Sequence, residues 1–284
     1  METVAVIGYG DMGQEMVPHL LAAGHEVRVH ERNAAKREAA AAAGATVAES
    51  AADAVRGATV VLGLVMSDDL PEAFIGDSGA LAGTEAGALV LIGSTTTPQM
   101  IADLSAAAPD GVRVIDTPIV GGVRYAREKA VTFLVGSDDE TDNARISDLL
   151  SVLGRIRFVG EFGSGVAYKL ITNVAIMAAE AGIREALDLA DILGKDYEVA
   201  LDLMSHGPMA AVVERALDAS NPRPLRRSAE DDDTLLSAVS QPETELPISS
   251  AGAKRLWEAV VVNPDYEPDF IDLTRTTTSR PTER

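Results

Sequence analysis

Thr3-Val-Ala-Val-Ile-Gly8-Tyr-Gly10-Asp-Met-Gly13 opens the chain and decides its fold. Residues 3 to 7 form a short apolar run of strand type. Met12, Met16, Leu20 and Ala23 then recur at helical spacing, and Gly24 suits the position just past a helix end. Between strand and helix stands Gly-x-Gly-x-x-Gly, in the context a dinucleotide fingerprint requires. Gly8 permits the tight turn, Gly10 lets a pyrophosphate approach the backbone, and Gly13 lets helix and strand pack closely. The phosphates would meet amides at the positive end of the helix dipole. The turn from Gly8 to Gly13, with Tyr9, Asp11 and Met12 inside it, is therefore the expected cofactor-binding element.

Working outward, His25 to His30 alternates like a second strand, and Glu31 ends it. An acid about twenty residues past the glycine turn accepts from the ribose 2′-hydroxyl of NAD. Arg32 follows at once and Lys36 lies one helical turn on; either could pair with the 2′-phosphate of NADP. The carboxylate would repel that phosphate, which favours NAD and leaves NADP open.

Helices are expected over Ala34 to Ala43, Ser50 to Arg56, Pro98 to Ala107 and Asp139 to Leu153. Strands are expected over Thr59 to Val65, Ala88 to Ile92, Val112 to Asp116 and Val131 to Val135. Strands alternating with helices give an α/β class with a largely parallel sheet covered on both faces. The alternation stops near residue 160. A long helix is expected from Val166 to Leu193, then shorter ones at Tyr197 to Met204, Met209 to Ala219, Ser228 to Val239 and Ser249 to Val262. A loop rich in Pro and Arg, Asn221 to Arg227, separates two of them. Thr274 to Arg284 is polar and expected to fray. The chain thus divides into an α/β domain, residues 1–162, and an all-helical one, residues 163–284.

With 284 residues and 46% hydrophobic content, two domains can each bury a core. Lys plus Arg total 24 against 44 Asp plus Glu, a formal charge of −20, which repels nucleic acid and anionic membranes. No apolar run of about 18 residues points to a membrane span. The start lacks a basic leader, so a cytoplasmic protein is expected. There are 0 cysteines and only 4 histidines, none in a His-x-x-x-His pair, so thiolate chemistry is excluded and no metal site is expected.

Two further segments carry chemistry. Gly163-Ser-Gly165 precedes Lys169 and Asn173, which stand side by side four residues apart on one helix face. Desolvated in a cleft, Lys169 could donate a proton to a carbonyl oxygen receiving hydride, and the Asn173 amide could hold that oxygen. A solvated surface lysine is the ordinary alternative. Val166, Ala167, Leu170, Ile171 and Val174 count against it, because they leave this helix little surface to expose. The second segment is Asp116-Thr-Pro118-Ile-Val-Gly121-Gly122, at a strand end. Its double glycine either exposes amides to a carboxylate or is a plain turn.

Taken in order, the glycine turn, Asp-x-Pro-x-x-Gly-Gly and Gly-x-Gly-x-x-x-Lys-x-x-x-Asn resemble the β-hydroxyacid dehydrogenases of the 6-phosphogluconate dehydrogenase superfamily. That group includes 3-hydroxyisobutyrate dehydrogenase, tartronate semialdehyde reductase and the glyoxylate/succinic semialdehyde reductases. The resemblance extends to about residue 273. It implies an N-terminal Rossmann domain, a helical C-terminal domain joined by a long helix, and a cleft between them. It further implies Lys169 as acid/base and Asn173 as substrate holder, with Gly121 and Gly122 on a substrate carboxylate. Val65, Met66, Ser94 and Thr95 would line the cofactor, and members are commonly homodimers or tetramers.

Three positions depart from that pattern. Val120 stands where the family usually has Ser, losing a hydroxyl donor worth about 1.5–3 kcal/mol to a carboxylate. Arg124 or Tyr125 could replace it. Lys129 stands where the family usually has Gly. Glu230-Asp-Asp-Asp233 stands where it usually has Lys-Asp, and reads as a capping box with Ser228 at N-cap and Asp231 at N3. These changes argue against a housekeeping substrate. Two rival functions share the architecture: an imine reductase, which usually has Asp or Tyr at the lysine position, and a cofactor-binding protein without chemistry.

Overall fold

The computed structural model describes residues 1–239 and 245–262. Its strands are β1 Thr3–Ile7, β2 Glu26–His30, β3 Thr46–Val47, β4 Val60–Gly63, β5 Leu89–Ile92, β6 Arg113–Asp116, β7 Ile119–Val120, β8 Val131–Gly136 and β9 Gly154–Gly160. Among the helices, α1 Asp11–Ala22, α2 Ala34–Ala42, α3 Ala51–Val55, α4 Leu70–Phe74, α5 Ala80–Gly83, α6 Pro98–Ala107, α7 Val123–Arg127 and α8 Glu140–Leu150 alternate with the strands. There follow α9 Ser164–Ile192, α10 Tyr197–Ser205, α11 Ala210–Leu217, α12 Leu225–Ser237 and α13 Pro247–Val262. Thr274 to Arg284 lies outside the described residues.

The chain folds as two compact units, Met1–Leu170 and Ile171–Arg284. The boundary falls inside α9, later than the expected 162/163, because the first turns of that helix pack with the sheet. Val166, for instance, is fully buried in one of its two cores.

The first unit holds a six-stranded parallel sheet in the order β3-β2-β1-β4-β5-β6. Its central strands are apolar throughout because both faces are covered. Side chains alternate between faces: Val4 and Val6 enter one core with Leu62 and Leu91, while Ala5 and Ile7 enter the other with Val61 and Val90. The chain departs from β1 in opposite directions, through α1 to β2 and later to β4. That reversal opens a crevice at the carboxyl ends of β1 and β4, where such sheets take ligands. A second sheet joins β7 antiparallel to β8 and β8 parallel to β9. β3 and β7 have two residues each, and α4, α5 and α7 five or fewer, too short to show a period in the sequence. β9 was not expected, although Arg155, Ile156, Arg157 and Phe158 alternate in strand fashion.

The second unit, as far as it is described, is helical. Ile183, Leu187, Leu201 and Val213 form one small core, and Ala216, Leu225, Ala229, Leu256 and Val260 another. α9 has 29 residues and an apolar stretch of mean hydropathy 1.3, so among the described residues it is long and apolar enough to cross a membrane. It nevertheless carries Asn173, Glu180 and Arg184, each at most 4% exposed, as a helix packed within protein does.

The capping box expected at Ser228 does not form. α12 begins at Leu225 with Pro224 as its N-cap residue, so Ser228 lies inside the helix, fully buried, accepting from Arg223 Nε at 2.7 Å. Leu225 and Ala229 are both buried, which extends the apolar face one turn upstream of the acidic run. Asp232 is consequently a core residue, 1% exposed. Burial, then the charges of Asp231 and Glu180, push its carboxyl up to about 7, against the pull of Arg223.

The unfolded value is about 3.9. Between the two values the folded chain keeps a proton that the unfolded chain has lost, so stability falls as pH rises from about 4 to 7. Asp232→Asn removes that penalty. Its melting temperature should exceed the wild type's by about 5 °C at pH 8, the effect of roughly 2 kcal/mol after solvent screening, and the gap should close near pH 4. A calorimetric series showing a gap independent of pH contradicts this.

Candidate active site

The crevice is built by hydrogen bonds between strand ends. The Gly8 amide donates to the His30 carbonyl at 2.9 Å, Leu64 N–H to Ile7 at 2.8 Å, and Gly93 N–H to Gly63 at 2.9 Å. Ser94 Oγ donates to the Val65 carbonyl at 2.6 Å, tying the β5 and β4 ends together. Val65, Met66 and Thr95 stand beside that bond, each partly buried. Backbone approach is closest at the glycine turn. Gly8 has φ +98°, and a Cβ there would stand 2.7 Å from the Leu64 carbonyl oxygen. A Cβ on Gly13 would stand 2.7 Å from the Gly8 carbonyl oxygen.

Gly10 is different. It is the N-cap of α1, no side chain caps that helix, and nothing lies within 4 Å of the place its Cβ would take. An open, uncapped helix start bordered by glycine fits a dinucleotide pyrophosphate.

Glu31 is held in place by the turn itself. The Tyr9 amide donates to its Oε2 at 2.8 Å and the Asn33 amide to its Oε1 at 2.9 Å. Partial burial alone would raise its pKa. The Asn33 and Tyr9 amides, with the Lys36 charge, outweigh burial and lower it, so the group stays anionic. Each carboxylate oxygen keeps a lone pair for a ribose hydroxyl. Tyr9 itself is 2% exposed, so its part in the turn is this amide and not its phenol. Arg32 is paired with Asp69 at 2.8 Å and Glu72 at 3.3 Å. A 2′-phosphate would have to compete with both carboxylates for it.

β7 carries Val120, 37% exposed, into Gly121 at φ +123° and Gly122, the N-cap of α7, which no side chain caps. Arg124 lies over the Tyr125 ring at 4.9 Å and donates from Nη2 to its hydroxyl at 3.2 Å. Lys129, where the resemblance expects glycine, has φ 57° and is the one non-glycine residue with positive φ among the described residues. A backbone conformation that suits glycine is thus kept without the glycine, at a cost of about 1–2 kcal/mol.

Lys169 and Asn173 lie one turn apart on α9. Lys169 is half-buried between the buried residues Val166 and Leu170. Asn173 is 4% exposed, and its Nδ2 is buried without a hydrogen-bond partner. A buried amide donor left unsatisfied costs about 1–3 kcal/mol, and a ligand oxygen would relieve it.

Asp116 opens the Asp-x-Pro segment in the sequence, which gives it no role of its own. It is fully buried at the end of β6, and its two oxygens accept from the amides of Gly163 at 2.8 Å and Val166 at 2.9 Å. Those partners are 47 and 50 residues away, beyond any local pattern. The Asp-x-Pro spacing and a glycine pair before a helix are the only hints.

Residues 3–163 match the family described as the NAD binding domain of 6-phosphogluconate dehydrogenase. The NAD-dependent L-serine dehydrogenase of Pseudomonas aeruginosa is 34% identical over 79% of this chain and 75% of its own. Among solved structures, Mycobacterium tuberculosis 3-hydroxyisobutyrate dehydrogenase with L-serine is 25% identical, with TM-score 0.79 over 96% of this chain and 98% of that one. Psf3 in complex with NADP+ and 2-OPP is also 25% identical, with TM-score 0.81 over 96% of this chain and 99% of that one.

Proposed function

The chain belongs to the β-hydroxyacid dehydrogenase family, an NAD(P)-dependent oxidoreductase acting on a CH–OH group, and we propose that it interconverts a small β-hydroxyacid with its semialdehyde or ketone. When bound, the nicotinamide supplies or accepts the hydride. In the reducing direction Lys169 gives a proton to the carbonyl oxygen, and in the oxidising direction it takes one from the hydroxyl. The Asn173 amide holds that oxygen through Nδ2. The amides of Gly121 and Gly122 receive the substrate carboxylate, with Arg124 supplying the donor that Val120 lacks. The observation that carries this reading is the buried, unsatisfied Asn173 donor one turn from Lys169. Both relatives whose names include serine fit a short hydroxyacid of that kind.

NAD is the proposed nucleotide, because Glu31 is fixed and anionic while Arg32 is already paired. Glu31→Gln should weaken NADH binding at least tenfold and narrow the NADH-over-NADPH preference by about the same factor, since a charged acceptor is lost. Fluorescence titration with both nucleotides reads this, and an unchanged ratio removes Glu31 from the choice. The protein is further proposed to form homodimers, supported by Ile171, Ile192, Val199 and Leu203, each more than half exposed.

The test is oxidation of NADH and NADPH across short semialdehydes, β-keto acids and cyclic imines. Turnover of the first two classes supports the reading. Turnover of imines alone would assign the chain to imine reduction, and nucleotide binding with no turnover to a binding role.

A further inference from the structure

The start of α9 has an unusual cap. Gly163 is its N-cap residue, since the Gly163 carbonyl accepts the first helical bond from Ala167 at 3.1 Å. Glycine offers no side chain to the first-turn amides, and φ here is +88°. A capping box would satisfy the N-cap and N3 amides with two local side chains. In this chain one carboxylate from another element does both: Asp116 Oδ1 accepts from Gly163 at N-cap, and Oδ2 from Val166 at N3.

Space for that carboxylate is made by two more glycines. A Cβ on Gly136 would stand 2.3 Å from Asp116 Oδ1. A Cβ on Gly165 would stand 2.7 Å from Oδ2 and 2.3 Å from the Leu134 carbonyl oxygen. At Gly165 the Leu134 carbonyl is backbone and cannot turn aside, and at Gly136 a Cβ would displace the Asp116 carboxylate from the place it occupies. Burial raises the pKa of the Asp116 carboxyl, and the amides of Gly163 and Val166 oppose that rise.

Two segments leave this point. One runs from Asp116 through Thr117 and Pro118 into β7 and on to Gly121-Gly122. The other runs up α9, where Lys169 follows Val166 by three residues, about 4.5 Å of rise on the same face. A helical side chain leans toward the helix N-terminus, so Lys169 leans back toward its anchored first turn. We propose that Asp116 is a positioning residue: its carboxylate fixes the first turn of α9 against the end of β6 and so sets Lys169 relative to the Gly121-Gly122 loop. This rests on Lys169 being the acid/base and adds what holds it in place. A shift of about 1 Å in such a group can cost roughly 100-fold in rate.

The test uses Asp116→Asn and Asp116→Ser beside the wild type. Asparagine keeps one acceptor and turns a donor toward the other amide; serine keeps one acceptor in a smaller, uncharged group. Both should lower kcat 10- to 100-fold while the dissociation constant for NADH stays within twofold, because the glycine turn after β1 is untouched. In the nucleotide-free proteins, hydrogen exchange should quicken over residues 163–169 and not over 8–13. Variants that keep kcat within threefold, or that lose nucleotide affinity along with kcat, overturn the proposal. Failure of both variants to fold assigns Asp116 to stability alone and also overturns it. A wild type without turnover removes the acid/base reading and this one together. A wild type that turns over beside variants equally fast removes only this one.

Discussion

Lys169→Met should lower kcat for carbonyl reduction by about 100- to 10,000-fold, the range a positioned acid contributes. Methionine keeps the length and apolar stem of lysine between the buried Val166 and Leu170, so the helix should be preserved. Nucleotide affinity should change less than threefold, since the glycine turn lies on a different element. Steady-state kinetics with an NADH titration separate the two effects. Retained turnover removes the lysine from the mechanism. Loss of nucleotide binding instead would place its role in the cofactor site.

Gly10→Ala should weaken nucleotide binding about 100-fold, or roughly 2.7 kcal/mol, with little loss of stability. The reasoning rests on empty space. Nothing lies within 4 Å of a Cβ at this position, and its φ of −70° suits any residue, so the protein alone gives no reason for an effect. Alanine is a poorer N-cap than glycine by up to about 1 kcal/mol, a small melting shift beside the loss of affinity. A large loss of affinity with a nearly unchanged melting temperature therefore reports on a ligand at the uncapped helix start. Gly13→Ala makes the contrast, because its methyl meets the Gly8 carbonyl oxygen at 2.7 Å and should depress melting as well as binding. Equal affinity in Gly10→Ala and wild type would place the pyrophosphate elsewhere.

Much of this arrangement is legible in the residues because it is local. β1, the glycine turn and α1 follow one another within about twenty residues, and α6 runs from Pro98 to Ala107 as expected, with Thr97 found to cap it through the Met100 amide. Glu31 is likewise found at the end of β2, where the spacing puts it. What escapes is set by distant partners. Asp116 looks like part of a strand-end loop until its amide partners on α9 are known. Ser228 carries a capping signal that loses to the apolar face of Leu225 and Ala229, so the helix starts a turn earlier. Tyr9 sits among glycines that face a ligand, yet its ring is drawn into the core beside Val6 and Met16.

Of the departures from the family resemblance, Val120 at the end of β7 and Lys129 just before β8 flank the proposed carboxylate loop, while the acidic run Glu230 to Asp233 stands on α12. Lys129 takes a left-handed conformation that a glycine would adopt without strain.

Isotope transfer decides the reaction most directly. NADH carrying deuterium at C4 of the reduced ring would be incubated with the wild-type protein and a short β-keto acid or semialdehyde, and the product analysed by mass spectrometry and NMR. Deuterium on the carbinol carbon of a β-hydroxyacid is the expected result. Nucleotide binding with no labelled alcohol from any substrate of that class would contradict the assignment.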